Sequence, residues 1–216
     1  MQPSELEPFP DPRFARAWGP LALGGDLSPQ RLLLAYSSGI FPWFSEGEPI
    51  QWWSPDPRAV FELDGLHVPR RLLRTIRSGR FTVTRDSAFA AVMHGCAHRP
   101  GSGTWITQSM LEAYERLHQL GFARSLEVWR NGELAGGIYG VSIGGLFAGE
   151  SMFYHERDAS KVALYWLEEH LRSRGYVLFD VQMLTPHLER LGAIDIPRTH
   201  YLRRLREAIA LPVTWD

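Results

Sequence analysis

The apolar positions along the chain switch repeatedly between helical and strand periods. In "SPQRLLLAYSSG", residues 28–39, an apolar cluster follows Ser28 and Pro29 and stops before Gly39. That pattern predicts a short helix with Ser28 as N-cap, Pro29 in the first turn and Gly39 just past the end. "VPRRLLRTIRSGRFTVT" predicts a basic helix and then a strand from Phe81, and "RDSAFAAVMHGCA" a helix capped by Asp86 or Ser87. In "TWITQSMLEAYERLHQLGF", Met110, Leu111, Tyr114, Leu117 and Leu120 recur at helical spacing behind Thr107, with Gly121 as terminator. Alternation then replaces the helical period. "SLEVWRNGELAGGIYGVSIGGLFAGESMF" is cut at Asn131-Gly132 and Gly144-Gly145, which predicts a three-stranded antiparallel meander. "DASKVALYWLEEHLRSRGY" returns to helix, "VLFDVQML" reads as a buried strand, and "TPHLERLGA" and "THYLRRLREAIAL" read as helices. The C-terminal half is therefore β-β-β-α-β-α, an α+β pattern. Residues before Ser28, rich in Pro and Gly, read as an ordered arm. A boundary near residues 64–70 divides a small aromatic N-terminal unit, 1–66, from a larger one, 67–216.

Composition narrows the class of function. The chain has 216 residues, enough for one large domain or two small ones sharing an interface. A formal net charge of -1 excludes a general nucleic-acid coat and leaves room only for a local basic patch. A single cysteine, Cys96, excludes an intramolecular disulfide and points to a reducing compartment. The N-terminal stretch shows no apolar run behind a basic start, and no segment reaches the length of a membrane span. A cytoplasmic enzyme or adaptor is expected. Eight Trp exceed what a core of this size needs, and flat rings beyond core needs mark surfaces that stack on other rings or grip peptides.

Several stretches carry candidate chemistry. His94, Cys96 and His98 are close in sequence, but alternate residues of a helix point apart and no second pair at zinc spacing exists, so no metal site is expected. "VSIGGLFAGES" lacks the Gly-Lys-Ser/Thr ending of a phosphate loop and reads as a hairpin turn; no Gly-x-Ser-x-Gly elbow is present. Arg70, Arg74 and Arg77 fall on one helix face, with Arg71 beside them and no acid between Val68 and Thr84. This stripe is either a solvated face or a phosphate grip, since Arg suits phosphate oxygens. "FDVQ" puts Asp180 and Gln182 on one face of a strand, as a satisfied buried pair or as an acid and amide aimed into a pocket. In the aromatic stretch 39–61, Trp52 and Trp53 read as a wall between the units, "SPDPR" as a rigid connector, and Trp43 as a flat face for a nucleobase.

These stretches together resemble the bacterial leucyl/phenylalanyl-tRNA–protein transferases. The resemblance rests on "GPLALGGDLSP", "LLLAYSSGIFPWFSEGEPIQWWSPDPRAV", "GTWIT", "EAYERLHQLG", the meander sequence, "ASKVAL" and "FDVQ", followed by the ordered His, "LGA" and "IPR". It covers the chain from Gly19 onward. It implies a small N-terminal domain packed on a C-terminal domain like the acetyltransferase (GNAT) superfamily. It implies transfer of Leu or Phe, and less readily Met, from aminoacyl-tRNA to the N-terminal amine of proteins beginning with Arg or Lys, which creates an N-degron for proteolysis. Neither a cofactor nor a metal is implied; the protein is expected to act as a monomer away from membranes. By the same resemblance, Trp43, Trp105, Tyr36 and Tyr114 hold the terminal adenosine. Asp180 and Gln182 are the catalytic pair, the first in proton relay and the second orienting the amine. Ile138, Phe147, Leu164, Leu167 and Phe179 form the aminoacyl side-chain pocket, with Glu150 at the amine. Arg70, Arg71, Arg74 and Arg77 grip tRNA. Two positions depart from the family's pattern: Ile138 stands where Met is common, and the basic helix is all Arg.

Three other readings use the same features. An acyl-CoA N-acyltransferase would need a pyrophosphate loop, where this chain has "ESMFYHERDASK". A non-catalytic adaptor would use the aromatics to read peptide N-termini. A peptidoglycan-building aminoacyl-tRNA transferase would be longer.

Overall fold

The computed structural model describes residues 7–98 and 104–216. The first six residues of the expected arm and Gly103 of "GTWIT" lie outside the described residues.

Two sheets organise the chain. The small one is antiparallel, in the order β1 (Pro20–Leu23), β3 (Gln51–Trp53), β2 (Phe41–Pro42). The large one has seven strands in the order β10 (Ile194–Ile196), β4 (Arg58–Phe61), β9 (Leu178–Gln182), β8 (Leu146–Tyr154), β7 (Glu133–Ile143), β6 (Ala123–Arg130), β5 (Thr82–Arg85). Every neighbouring pair is antiparallel except β8 and β9. The meander β6–β7–β8 follows the expected hairpins, and the α+β class holds. β4 precedes the boundary expected at 66/67 yet runs inside the large sheet, between β10 and β9. Its neighbours account for the placement: Arg58 pairs with Asp180 on β9, and Ala59, Val60 and Phe61 are fully buried.

Helices cover both faces. On one side, α1 (Pro29–Ser37), α3 (Phe89–Ala97) and α4 (Gln108–Gln119) share a core with Trp52, Trp53, Tyr139 and Ala148. α7 (Arg198–Ile209) extends that layer through Tyr201 and Leu205, packed on Val60, Leu146 and Leu178. The opposite face carries α5 (Ala159–Arg174), α2 (Arg70–Arg77) and the short α6 (Pro186–Arg190), around Phe61, Phe147, Leu164, Leu167 and Phe179. Ser28 and Thr107 cap α1 and α4 as expected, accepting from Arg31 N at 3.3 Å and from Met110 N at 3.3 Å. α3 differs. It starts at Phe89 without a side-chain cap, because Asp86 bonds Ser125 N and Arg124 while Ser87 Oγ donates to the Arg85 carbonyl.

The aromatic segment folds as a wall. Trp52 is fully buried and donates to the Gly24 carbonyl, and Trp53 donates to the Trp43 carbonyl. Trp18, Trp43 and Trp53 meet edge to face, with centroids 5.2–6.2 Å apart.

Two β-bulges sit where the large sheet divides. Tyr139 faces Ser151 and Gly140 faces Gly149, so Glu150 is an extra residue in β8. Ala59 faces Gln182 and Val60 faces Asp180, so Val181 is an extra residue in β9. β8 and β9 pair only at Leu146–Leu178, Phe147–Phe179 and Ala148–Asp180. β8 then runs on to Tyr154 without β9 beside it. Bulges bend strands and re-aim side chains, and here they open the sheet between its two central strands. Gly140 permits the first of them: a Cβ there would lie 2.2 Å from the Ala148 carbonyl oxygen. Gly140→Ala should therefore lower stability by about 1–3 kcal/mol through overpacking, read as a lower urea midpoint with an unchanged m-value. An unchanged midpoint would contradict this account of the bulge.

Candidate active site

The parted strands leave a cavity of about 1000 Å³. Its floor is the freed stretch of β8, Gly149 to Tyr154, together with Val181, Gln182 and Met183 beyond the end of β9. Phe41, Trp43 and Trp105 stand on one side; Phe61, Ile138, Leu164 and Leu188 line the other. Beyond Ala148 this stretch of β8 has β7 on one edge and no strand on the other.

Glu150 and Gln182 lie at its centre. Gln182 Nε2 donates to Glu150 Oε1 at 2.8 Å. The Tyr114 hydroxyl reaches Glu150 Oε2 at 3.5 Å, and the Tyr36 and Tyr114 hydroxyls are hydrogen-bonded to each other. Burial pushes the Glu150 carboxyl up to about 8, against the opposing pull of its tyrosine contact with Tyr36. Both tyrosines are themselves pushed well above their ordinary range, chiefly by burial and then by the Glu150 charge. The carboxyl is thus a half-buried acid at the centre of a largely apolar cavity, with its proton held well above the usual carboxylate range.

Asp180 is placed differently. Its side chain is 1% exposed and does not line the cavity. Oδ1 accepts from Arg58 Nε at 2.8 Å and from Gln182 N at 2.9 Å; Oδ2 accepts from Arg58 Nη2 at 2.7 Å and from the Tyr201 hydroxyl at 2.8 Å. Gln182 adopts φ 59°, in the left-handed region. Simple alternation puts Asp180 and Gln182 on one face. The bulge at Val181 and the left-handed turn at Gln182 break it, so the acid points to Arg58 and the amide into the cavity.

The other sequence candidates divide in the same way. Trp43, Trp105, Ile138 and Leu164 line the cavity. Phe147, Leu167 and Phe179 are buried beneath it, with Phe179 in ring contact with Phe61 and Phe147. Tyr36 and Tyr114 lie behind Glu150, 2% and 0% exposed. Phe41, Phe61 and Phe153 also line the cavity, and Arg58 lies against Asp180, none of them singled out by the sequence pattern. The "SPDPRAVF" run carries no clear strand signal, because the charged Arg58 opens its four residues. His94, Cys96 and His98 form no metal-holding group, and none of three or more such ligands occurs among the described residues.

Arg70, Arg71, Arg74 and Arg77 lie on α2, all exposed, and none joins an ion pair among the described residues. Arg71 borders a second cavity of about 500 Å³, with Arg157, Lys161 and Arg190 around it and His187 shared with the first. Asp158, paired with Lys161 at 3.3 Å, is the one acid on its rim. No helix among the described residues is long and apolar enough to cross a membrane.

Among solved structures, the likenesses are partial. The chain is similar to a GCN5-related N-acetyltransferase from Kribbella flavida, with a TM-score of 0.41 and 11% identity over 77% of this chain and 60% of that one. It is also similar to the ribosomal-protein-alanine N-acetyltransferase of Brucella melitensis biovar Abortus 2308, with a TM-score of 0.34 and 19% identity over 44% of this chain and 74% of that one. The family follows from sequence. Residues 60–206 match the model for leucyl/phenylalanyl-tRNA protein transferase, and residues 25–56 the model for the N-terminal domain of the same transferase. A leucyl/phenylalanyl-tRNA--protein transferase of Magnetococcus marinus is 55% identical over 216 residues, covering 97% of this chain and 92% of the relative. One from Anaeromyxobacter sp. strain K is 55% identical over 207 residues, covering 94% and 89%. The chain belongs to the leucyl/phenylalanyl-tRNA protein transferase family, a family of aminoacyltransferases.

The raised Glu150 carboxyl has a consequence for stability. The folded state holds its proton up to about pH 8, while the unfolded chain releases it near 4.5. Between those values the native state binds more protons, so this group makes stability fall as pH rises. Glu150→Gln should flatten that fall by an amount on the order of a few kcal/mol, measured as urea midpoints at both ends of the window. Parallel curves for the two proteins would contradict the burial of a neutral carboxyl.

Proposed function

We propose that this protein transfers Leu or Phe, and less readily Met, from aminoacyl-tRNA to the N-terminal amine of proteins beginning with Arg or Lys, marking them for proteolysis. The observation that carries the reading is the pairing of Glu150 with Gln182 at the open edge of β8, with two Trp on one side and an apolar slot on the other. Family membership supports the same chemistry.

The aminoacyl ester is already activated, so the protein has to position, to move a proton and to steady the developing oxyanion. Trp43 and Trp105 offer ring faces to the terminal adenine, and Ile138 and Leu164 border a slot for the Leu or Phe side chain. Ile138 is stiff at χ1, so the wall of this slot keeps one shape. The incoming α-amine attacks the ester carbonyl carbon. A C–N bond forms, the C–O bond to the ribose breaks, and the amine loses a proton while the ribose oxygen gains one. Glu150 accepts a proton from the attacking nitrogen and returns one to the ribose oxygen as the C–O bond breaks. Its carboxyl, near 8, matches an α-ammonium at about 7.7–8.0, so drawing the proton that frees the amine for attack is close to energy-neutral. Gln182 holds the carboxylate and directs the amine. Aminoacyl-tRNA chemistry belongs to the cytoplasm, where we place the protein, working as a monomer.

The tRNA phosphates run along the exposed face of α2 and into the second cavity. Arg71, Arg157, Lys161 and Arg190 there extend the expected stripe of Arg70, Arg74 and Arg77.

Two measurements test this. With Leu-tRNA and a peptide beginning with Arg, wild-type kcat/KM should rise with pH and level off above about 8, and Glu150→Gln should lower it by about 10²–10⁴-fold; near-normal turnover of the variant removes Glu150 as proton acceptor. Arg71→Glu with Arg190→Glu should weaken Leu-tRNA binding and reduce the slope of log affinity against log salt by about 1.5–2. An unchanged slope makes this groove a solvated surface.

A further inference from the structure

Arg58 is 1% exposed, among the largest fully buried side chains, and nothing in the reaction as described uses it. Its guanidinium joins three parts of the site. Nε and Nη2 form a fork on the Asp180 carboxylate, at 2.8 and 2.7 Å. Nη1 donates to the Gly39 carbonyl at 3.0 Å, just before the segment that carries Phe41 of β2 and then Trp43. Its charged plane rests 4.9 Å from the Phe41 ring and 4.4 Å from the Tyr201 ring.

Asp180 has no acceptor capacity left over. Its two oxygens take four donors: two from Arg58, one from Tyr201 and one from the Gln182 backbone N–H. The last of these holds Gln182 in its left-handed conformation, which aims the side-chain amide at Glu150. Gly39 is equally constrained. It has φ 77°, and a Cβ there would lie 2.6 Å from Leu202 and 3.1 Å from Tyr201. A buried ion pair is a weak source of net stability, because desolvation offsets its attraction. What the fork supplies is a fixed direction, which a flexible ammonium cannot.

We propose that Arg58 is a positioning residue for transfer: by gripping Asp180 and the Gly39 carbonyl together, it holds the Gln182 amide against Glu150 and the Trp43 loop over the same cavity. Asp180 is then the link between Arg58 and Gln182 and not a proton acceptor. The proposal rests on the transferase reading for its kinetic consequences, but its geometry is testable without any activity.

The test uses the full chain and the variants Arg58→Lys, Tyr201→Phe, Gln182→Ala and each of the first two combined with the third. The Glu150 carboxyl is followed by carbon NMR, its signal assigned by loss in Glu150→Gln. Arg58→Lys keeps the charge and loses the fork; Tyr201→Phe removes one hydroxyl from Asp180. Both should raise the Glu150 midpoint, because a donated N–H favours the ionised form and its loss disfavours it. In the Gln182→Ala background neither should move it further, since residues acting through one partner are not additive. In the transfer assay, Arg58→Lys should lower kcat about tenfold, with no further loss on top of Gln182→Ala. It should also raise KM for Leu-tRNA, whereas Tyr201→Phe, which makes no bond to Gly39, should not. An unmoved Glu150 midpoint, or effects that multiply with Gln182→Ala, overturns the proposal. If Arg58→Lys does not fold, Tyr201→Phe decides by the same two criteria. Should the wild type transfer nothing, the transferase reading fails, and the titrations still decide the role of Arg58.

Discussion

Two parallel strands that stop pairing after three residues create the space on which everything else depends. The parting of β8 and β9 comes from one extra residue in each strand, Glu150 and Val181, inserted at nearly the same level of the sheet. A regular sheet here would bury β8 on both edges and leave no cavity. The opening exposes one edge of β8 and allows side chains from both faces of the sheet to line one space. Trp43 and Trp105 reach it from the α1–α4 side, and Leu164 from α5.

A second constraint keeps that opening chemically useful. Buried acids are tolerable when they are either fully paired or neutral. Asp180 takes the first course, against Arg58 and Tyr201. Glu150 takes the second, held by Gln182 and the tyrosine pair with its carboxyl raised to about 8. Two carboxylates on neighbouring strands are therefore held differently because their surroundings differ, although their residue types suggest similar ones. A lid over the cavity is not needed for this distinction; the packing of α1, α4 and α7 supplies it.

Much of this was legible in the sequence, for identifiable reasons. The meander was readable because its turns carry Asn131-Gly132 and Gly144-Gly145, and α4 because five apolar residues keep a helical period behind Thr107. The family resemblance brought Trp43, Trp105, Ile138, Glu150, Leu164 and Gln182 to attention, and these six line the cavity. β4 was not legible. Its four residues include a charge, and the partners that bury that charge come from 122 and 143 positions away. The differing directions of Asp180 and Gln182 were not legible either, since alternation cannot foresee a bulge. Tyr36, Tyr114, Phe147, Leu167 and Phe179 show the same limit. Their types suit a site, but whether a ring lines a cavity or lies under it depends on neighbours from other elements.

The most direct measurement supplies labelled Leu-tRNA to the purified chain with two peptides that differ only in a first residue of Arg or Glu. The account predicts label on the Arg peptide alone. Folded protein and intact Leu-tRNA with no label on either peptide, or equal label on both, would contradict it.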